Sequence, residues 1–167
     1  MDLPSRKPQR LKNYDYSNAG YYFITMCTQD RINLFDASVG AAPCGRPDSA
    51  YQMIIKWLKK IEIKFEETRI DKFVVMPNHV HFILVISGDH TGSPLHEIVG
   101  WFKTMTTNEY INGVKSEIYL PFNKRVWQRS YHDRIIRNEI EYQRIWQYID
   151  TNPQKWEQDR YFNPIKD

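Results

Sequence analysis

Two histidines stand out in the stretch VVMPNHVHFIL, residues 74–84, because the rest of it is mainly apolar. In a β-strand, residues i and i+2 project from the same face, so His79 and His81 would point together while Val80 faces the other way. Two adjacent imidazoles on one face are a typical arrangement for binding a divalent metal ion. The alternative is an exposed pair on the solvent side of a sheet, although the apolar neighbours favour partial burial and hence bonded imidazoles.

A third metal ligand and a nucleophile are available in the C-terminal part of the chain. Tyr148 and Asn152 are four residues apart, so in a helix they lie on the same face. The amide oxygen of Asn152 is a suitable ligand for a hard cation, and the phenol of Tyr148 is a candidate nucleophile. The alternative is purely structural, because Ile145, Trp146 and Ile149 already provide this helix with a core face. Asn152 would then only mark the end of the helix.

The hydrophobic pattern predicts the elements that position these side chains. An order of strand, helix, strand, strand, helix, strand, helix is typical of an α+β, ferredoxin-like domain, in which an antiparallel sheet carries helices on one face. The last helix in this order, at the C-terminal end, would carry the tyrosine. The segments are a strand at 20–29, a helix at 50–67, two strands within 69–87 joined at Pro77-Asn78, a helix at 93–112, a strand or irregular segment at 126–137, and a last helix from Asn138.

The ends of the last helix have their own sequence signals. Asn138 is a suitable N-cap, and Glu141 three residues later completes the pattern of a capping box. Pro153 predicts the end of the helix one or two turns after Tyr148. The helix is therefore expected to end close to Asn152.

Length and composition indicate one domain, residues 1–167, with a basic N-terminal arm at 1–19 and a Gly/Ala/Pro loop insertion at 39–50. Lysine and arginine number 23 against 20 acidic residues, which weakly favours an acidic partner such as nucleic acid. No apolar run approaches the roughly 18 residues of a membrane span, and the N-terminal residues lack the apolar segment of a signal peptide. We expect a cytoplasmic protein without membrane contact.

Five segments, taken together and in this order, resemble a known family. They are YDYSNAGYYFIT (14–25), VVMPNHVHFIL (74–84), IVGWFKTMTTNEYI (98–111), VWQRSYHDRIIR (126–137) and YIDTNP (148–153). On these motifs the chain resembles the tyrosine transposases associated with repetitive extragenic palindromes (REPs). These are relatives of the IS200-like Y1 transposases, whose metal-binding motif is histidine–hydrophobe–histidine.

The resemblance implies a ferredoxin-like fold and a metal-dependent cleavage and rejoining of single-stranded DNA through a 5′-phosphotyrosine. It implies that His79, His81 and Asn152 hold Mg²⁺ or Mn²⁺ and that Tyr148 is the nucleophile. Tyr131 is the alternative nucleophile, but it lacks the four-residue relationship to Asn152. Zn²⁺ suits imidazole ligands on softness grounds without being the expected working ion.

The partner implied by the resemblance is single-stranded or hairpin DNA, bound by a monomer or a homodimer. Basic side chains position phosphates, and aromatic faces stack on bases. The alternative is an ordinary solvated surface with core aromatics. The residues expected to contact DNA are Arg6, Lys7, Arg10 and Lys12 in the arm, and Lys103, Arg125, Arg129, Arg134 and Arg137 in the basic, aromatic stretch 101–137.

Two other functional classes remain open at the level of the sequence. A ferredoxin-like domain with basic and aromatic residues can bind single-stranded nucleic acid without cutting it. A metal-dependent hydrolase would use an activated water and would leave no protein–DNA adduct. The combination of His79, His81, Tyr148 and Asn152 favours the tyrosine enzyme, because a pure binding module has no need of that set.

Overall fold

A computed structural model of the chain describes residues 15–35, 49–88 and 94–164. The predicted DNA contacts of the N-terminal arm, Arg6, Lys7, Arg10 and Lys12, lie outside the described residues. So do residues 39–48 of the predicted loop insertion.

Four strands form one antiparallel sheet in the order β2-β3-β1-β4. This order places the first and third strands at the centre, as in a ferredoxin-like domain, and it confirms the predicted α+β class and element order. The hairpin between the second and third strands turns at Pro77 and Asn78, as predicted. The strands are β1, Gly20–Cys27; β2, Thr68–Met76; β3, His79–Ile86; and β4, His132–Ile136.

Within the described ranges, three α-helices cover the two faces of the sheet. They are α1, Ala50–Lys64; α2, Leu95–Lys115; and α3, Glu139–Thr151. Helices α1 and α2 pack on one face of the sheet and enclose the main core with it. Helix α3 packs on the opposite face of the sheet, against Ile83, Val85 and Ile136. The sheet is therefore the middle of three layers, and α3 contains Tyr148.

Strand β3 is buried along its whole length, which explains its nearly continuous apolar sequence. Val80, Phe82 and Leu84 pack into the core with α1 and α2, whereas Ile83 and Val85 pack under α3. Full burial of each such side chain contributes on the order of 1.5–3 kcal/mol to folding. The alternation places both histidines on the face that α3 covers.

The N-terminus of α3 is capped as its sequence predicts. Oδ1 of Asn138 accepts a hydrogen bond of 2.8 Å from the backbone N–H of Glu141. The Glu141 carboxylate, however, accepts from the backbone N–H of Arg137 at 3.0 Å and from Nε of Arg134 at 2.5 Å. The cap is thus confirmed, while the carboxylate reaches one residue before the N-cap.

The C-terminus of α3 leads directly into a second short element. The α-helix ends at Thr151, two residues before Pro153, as predicted. The chain then continues as a 3₁₀ helix, Asn152–Gln158, and a turn that brings Asp159 back to the sheet. This continuation creates one wall of the site described below.

Among the described residues, none of the helices combines the length and the apolarity that crossing a bilayer requires.

Candidate functional site

The two histidines lie side by side at the start of β3. Their side chains are inaccessible, with exposures of 0% for His79 and 1% for His81, and their ring centroids are 4.6 Å apart. The interpretation as an exposed pair on the solvent side of the sheet is therefore wrong. Buried imidazoles require polar partners, and each of these two rings has a partner at Nδ1.

Each imidazole is held through Nδ1. Nδ1 of His81 lies 2.8 Å from Oγ1 of Thr25, its partner across the β1–β3 ladder. Nδ1 of His79 lies 2.9 Å from Oδ1 of Asn78. These contacts leave Nε2 of both rings directed into the site. Nε2 of His79 is buried and has no hydrogen-bond partner among the described residues.

The side chain of Asn78 connects three segments. Its Nδ2 donates to the carbonyl oxygens of Arg31, at 3.1 Å, and Tyr161, at 2.8 Å. Both amide hydrogens are thereby used, so its oxygen must face His79 and accept the proton of Nδ1. This assigns the lone pair of His79 to Nε2, where a metal ion would need it.

Tyr148 reaches the histidines from α3. Its hydroxyl oxygen lies 3.2 Å from Nε2 of His81, and the two ring centroids are 5.2 Å apart. The ring of Phe23 meets both groups, stacking on His81 and lying edge-on to Tyr148. The residues predicted from separate motifs are thus brought into direct contact.

Asn152 lies beneath Tyr148 and is 3% exposed. Its Nδ2 donates to Oδ2 of Asp159 at 3.0 Å. Its Oδ1 is buried and has no hydrogen-bond partner within the described part of the chain. Asn152 and His79 thus each have an unpaired buried atom, and both residues lie close to Asp159, an arrangement that a bound cation would satisfy.

Asp159 also belongs to this cluster, although no sequence motif indicates it. One ligand atom from each of His79, His81 and Asp159 lies within 4.8 Å of the others. Oδ2 of Asp159 is also 3.4 Å from the Tyr148 hydroxyl, and its Oδ1 accepts from the backbone N–H of Tyr161 at 2.7 Å. No regular spacing links Asp159 to Tyr148, because the chain changes from α-helix to 3₁₀ helix between them.

Burial determines the protonation of the site. It lowers the pKa of His79 to about 4, and burial together with the neighbouring His79 lowers the pKa of His81 well below the usual value. Both rings are therefore neutral at pH 7, as metal ligands must be. Burial, and secondarily the carboxylate of Asp159, raises the pKa of Tyr148 to about 12. The phenol thus keeps its proton near neutrality.

The donor set fits a divalent metal ion. It comprises two neutral imidazoles, the amide oxygen of Asn152 and the carboxylate of Asp159. Mixed nitrogen and oxygen donors suit Mn²⁺ and Zn²⁺, and Mg²⁺ prefers oxygen. The two unpaired buried atoms of His79 and Asn152 are the observations that support this fit.

Tyr131, the alternative nucleophile, is placed differently. Its partly buried ring packs against the core that α1 and α2 share with the sheet, and the Lys103 ammonium lies 5.7 Å from its centre. That core is on the face opposite α3 and the histidines. Tyr148, in contrast, has its hydroxyl oxygen against Nε2 of His81.

The predicted DNA-binding residues in the described ranges fall into two groups. The Lys103 ammonium donates to the backbone carbonyls of Gln128, at 2.8 Å, and Arg129, at 3.2 Å. Arg134 pairs with Glu141. These two side chains are engaged within the protein. The remaining three, Arg125, Arg129 and Arg137, are exposed.

Comparison with known sequences identifies both a family and a relative. The model of the family described as "Transposase IS200 like" matches residues 16–152. An uncharacterized protein of Haemophilus influenzae (strain ATCC 51907 / DSM 11121 / KW20 / Rd) is 32% identical over 174 residues, covering 94% of this chain and 93% of its relative.

Comparison with solved structures supports the fold. A REP-associated tyrosine transposase, solved bound to a REP hairpin, superimposes with a TM-score of 0.60 at 20% identity, covering 93% of this chain and 88% of the other. A candidate transposase from Deinococcus radiodurans R1 gives a TM-score of 0.52 at 18% identity, with coverages of 85% and 95%. At these identities the likeness concerns the fold.

Proposed function

This chain belongs to the IS200-like transposase family, and we propose that it cleaves and rejoins single-stranded DNA through a covalent 5′-phosphotyrosine at Tyr148, with a divalent metal ion. The observation that carries the proposal is the contact between the Tyr148 hydroxyl and Nε2 of His81, 3.2 Å apart. It supports the proposal because it brings the phenol that we propose as nucleophile next to an imidazole that we propose as metal ligand. A domain that only bound nucleic acid would gain nothing from this arrangement.

The proposed metal site consists of Nε2 of His79, Nε2 of His81 and Oδ1 of Asn152, with the Asp159 carboxylate as an additional donor. The chemistry that a divalent ion supplies when bound there is Lewis-acid polarisation of a non-bridging phosphate oxygen. We propose Mg²⁺ or Mn²⁺ as the working ion. The two imidazoles favour Mn²⁺ on ligand softness.

Tyr148 is proposed to attack the phosphorus atom of a phosphodiester. The bond from its oxygen to phosphorus forms as the bond from phosphorus to the 3′-oxygen breaks, and the leaving 3′-oxygen takes a proton. The proposed acceptor of the phenolic proton is Oδ2 of Asp159, 3.4 Å from the hydroxyl, because Nε2 of His81 would use its only lone pair on the metal ion. Because the phosphodiester is exchanged for a phosphotyrosine, a 3′-hydroxyl can later reverse the step without ATP.

The proposed substrate is single-stranded DNA or the single-stranded flank of a hairpin. It is supported by the relative of similar fold that was solved bound to a REP hairpin. Basic residues Arg125, Arg129 and Arg137, together with the N-terminal arm, are proposed to contact the phosphates. We propose that the protein works in the cytoplasm, as a monomer or a homodimer.

The test is a covalent-adduct gel. The protein and its Tyr148→Phe and Tyr131→Phe variants are incubated with labelled hairpin DNA carrying single-stranded flanks and Mn²⁺, and then denatured. We expect a protein–DNA band from the wild type and from Tyr131→Phe, and none from Tyr148→Phe. A band lost only in Tyr131→Phe would transfer the nucleophile to Tyr131.

The same gel separates the two competing functions. Cleaved DNA without any adduct, in wild type and Tyr148→Phe alike, would indicate a hydrolase that activates water. Tight binding with neither cleavage nor adduct, over several flanking sequences, would indicate a non-catalytic binding module.

A further inference from the structure

An open groove of about 600 Å³ runs along the exposed side of α3 and the 3₁₀ helix that follows it, with Tyr148 in its lining. Every residue that lines the groove has a polar or charged side chain. Three are basic, Arg144, Lys155 and Arg160, and one is acidic, Asp159. The groove therefore carries a net positive charge and contains the proposed nucleophile in its lining.

The basic residues lie on both sides of Tyr148. Arg144 is one helical turn before it, a spacing that separates Cβ atoms by about 5–6 Å. Lys155 is seven residues after it, on the 3₁₀ helix, and Arg160 follows. A chain of phosphates that crosses the groove with one phosphate at Tyr148 would thus meet a cation in each direction.

Two of these cations are available to a ligand. Arg144 and Lys155 are exposed, and within the described residues neither has a hydrogen bond or an ion pair. Arg160 is held in place, because its guanidinium donates to the Tyr161 hydroxyl and lies 4.5 Å from the centre of that ring. Its position is therefore set before any ligand binds.

We propose that this groove binds the sugar–phosphate backbone of a single DNA strand on both sides of the scissile phosphate. Arg144 holds the phosphates on one side of Tyr148, and Lys155 and Arg160 hold those on the other. The assignment rests on the proposed function for the identity of the strand. It adds a path for that strand and three contact residues that the basic stretch 101–137 does not contain.

The residues that line the groove predict which properties of a DNA strand affect its binding. Apart from Tyr148, none of the groove residues is aromatic, so the groove has no platform on which bases stack. Charged side chains that meet phosphates position a strand without reading its sequence. Binding in the groove should therefore depend on salt and on strand length but little on base composition.

The test is a binding titration that does not depend on catalysis. Fluorescence anisotropy is measured in EDTA with an unstructured labelled oligothymidylate, at several salt concentrations, for Arg144→Gln, Lys155→Gln and Arg160→Gln. Each variant should bind about three- to tenfold more weakly at low salt and lower the slope of log K against log salt by about 0.7, the value for one lost phosphate contact on a single strand.

The matched control is Lys64→Gln, an exposed lysine at the end of α1 on the opposite side of the sheet. It should leave affinity and slope unchanged. Unchanged affinity in both Arg144→Gln and Lys155→Gln would overturn the proposal, as would an equal loss on a blunt duplex. Because both side chains are exposed and lack partners among the described residues, these variants should fold normally.

The two proposals fail separately. The groove variants could lose affinity as expected while neither the wild type nor any variant forms an adduct. This result would support DNA binding in the groove and contradict the tyrosine mechanism. If the adduct forms at Tyr148 while the groove variants bind like wild type, the mechanism stands and the groove assignment falls.

Discussion

Oδ1 of Asn78 lies 2.9 Å from Nδ1 of His79, its neighbour in the chain. Because the amide group of Asn78 also donates to the carbonyls of Arg31 and Tyr161, the asparagine cannot turn away from the imidazole without losing two further hydrogen bonds. Asn78 is thus a positioning residue. It orients one proposed metal ligand and ties that ligand to the docked C-terminal segment.

Replacing Asn78 by alanine should therefore weaken metal binding. His79 would lose the bond that assigns its tautomer, and affinity for Mn²⁺ should fall about 10- to 100-fold, as for other residues that orient metal ligands. The free energy of unfolding should also fall by about 1–3 kcal/mol, because the buried carbonyl of Tyr161 loses its Asn78 donor, whereas that of Arg31 keeps its bond from Asn163. Calorimetric titration with Mn²⁺ and urea unfolding measure the two effects.

The control for Asn78→Ala is Asn108→Ala, at an exposed position on α2. It should change neither the affinity for Mn²⁺ nor the free energy of unfolding. A variant Asn78→Ala that lost stability yet bound Mn²⁺ like wild type would show that Asn78 supports only the fold.

Changing Asp159 to asparagine tests whether its carboxylate belongs to the metal site. The amide keeps the size of the side chain but removes the negative charge beside His79 and His81, so Mn²⁺ should bind at least about tenfold more weakly. Asp150→Asn is the matched control, since Asp150 is an exposed residue of α3 that pairs with Lys72. Equal Mn²⁺ affinity in both variants would remove Asp159 from the ligand set.

Without metal, stability should fall as the pH is lowered through the histidine range. Burial lowers the pKa of His79 from 6.5 to about 4 in the folded state. Below about pH 6.5, His79 therefore binds a proton in the unfolded chain but not in the folded protein, and this difference favours unfolding. The contribution is fully present above pH 6.5 and is lost as the pH falls towards 4. For His79 alone the loss amounts to about 2 kcal/mol between about pH 7 and about pH 5.

Urea unfolding in EDTA at a series of pH values measures this dependence. His81, whose pKa is also lowered by burial, should add to the slope in the same direction. The variant His79→Gln should unfold with a shallower pH dependence than wild type. An unchanged pH dependence in that variant would contradict the assignment.

Docking of α3 should depend on Ile149, which is 1% exposed and packs with Ile83 and Val85 under the helix. Ile149→Ala should lower the free energy of unfolding by about 2–5 kcal/mol, because it leaves a cavity between helix and sheet. Ile140→Ala, at a position on the same helix that is 67% exposed, should change it by less than about 0.5 kcal/mol. Thermal and urea unfolding compare the pair. Similar losses in both variants would mean that α3 is not held by this contact.

The local parts of this structure were predictable from short-range patterns. The element order, the Pro77-Asn78 turn, the cap at Asn138 and the opposite directions of His79 and Val80 all follow from spacing within a few residues. Strand alternation and helical periodicity are properties of the backbone itself. They therefore hold wherever the element lies in the fold.

Other features depend on contacts between distant parts of the chain. Lys103 illustrates the difficulty, because its charge predicted a DNA contact whereas its ammonium is used by the carbonyls of Gln128 and Arg129. Burial, which lowers the pKa of Lys103 to about 8, is not visible in a sequence window. A basic residue shows its charge in the sequence but not its partner.

The sequence by itself determined which side chains were available for the proposed site. It also determined that His79 and His81 share one face of a strand and that Tyr148 and Asn152 share one face of a helix, because these spacings match the regular repeats of the two structures. Only the tertiary structure decided that the two pairs meet, that Thr25 and Asn78 orient the imidazoles, and that Asp159 joins them. Those contacts span up to 83 residues, between Asn78 and Tyr161. They arise when β1, β3 and α3 pack together, because burying their apolar faces leaves the polar groups at this end of the sheet no partners but one another.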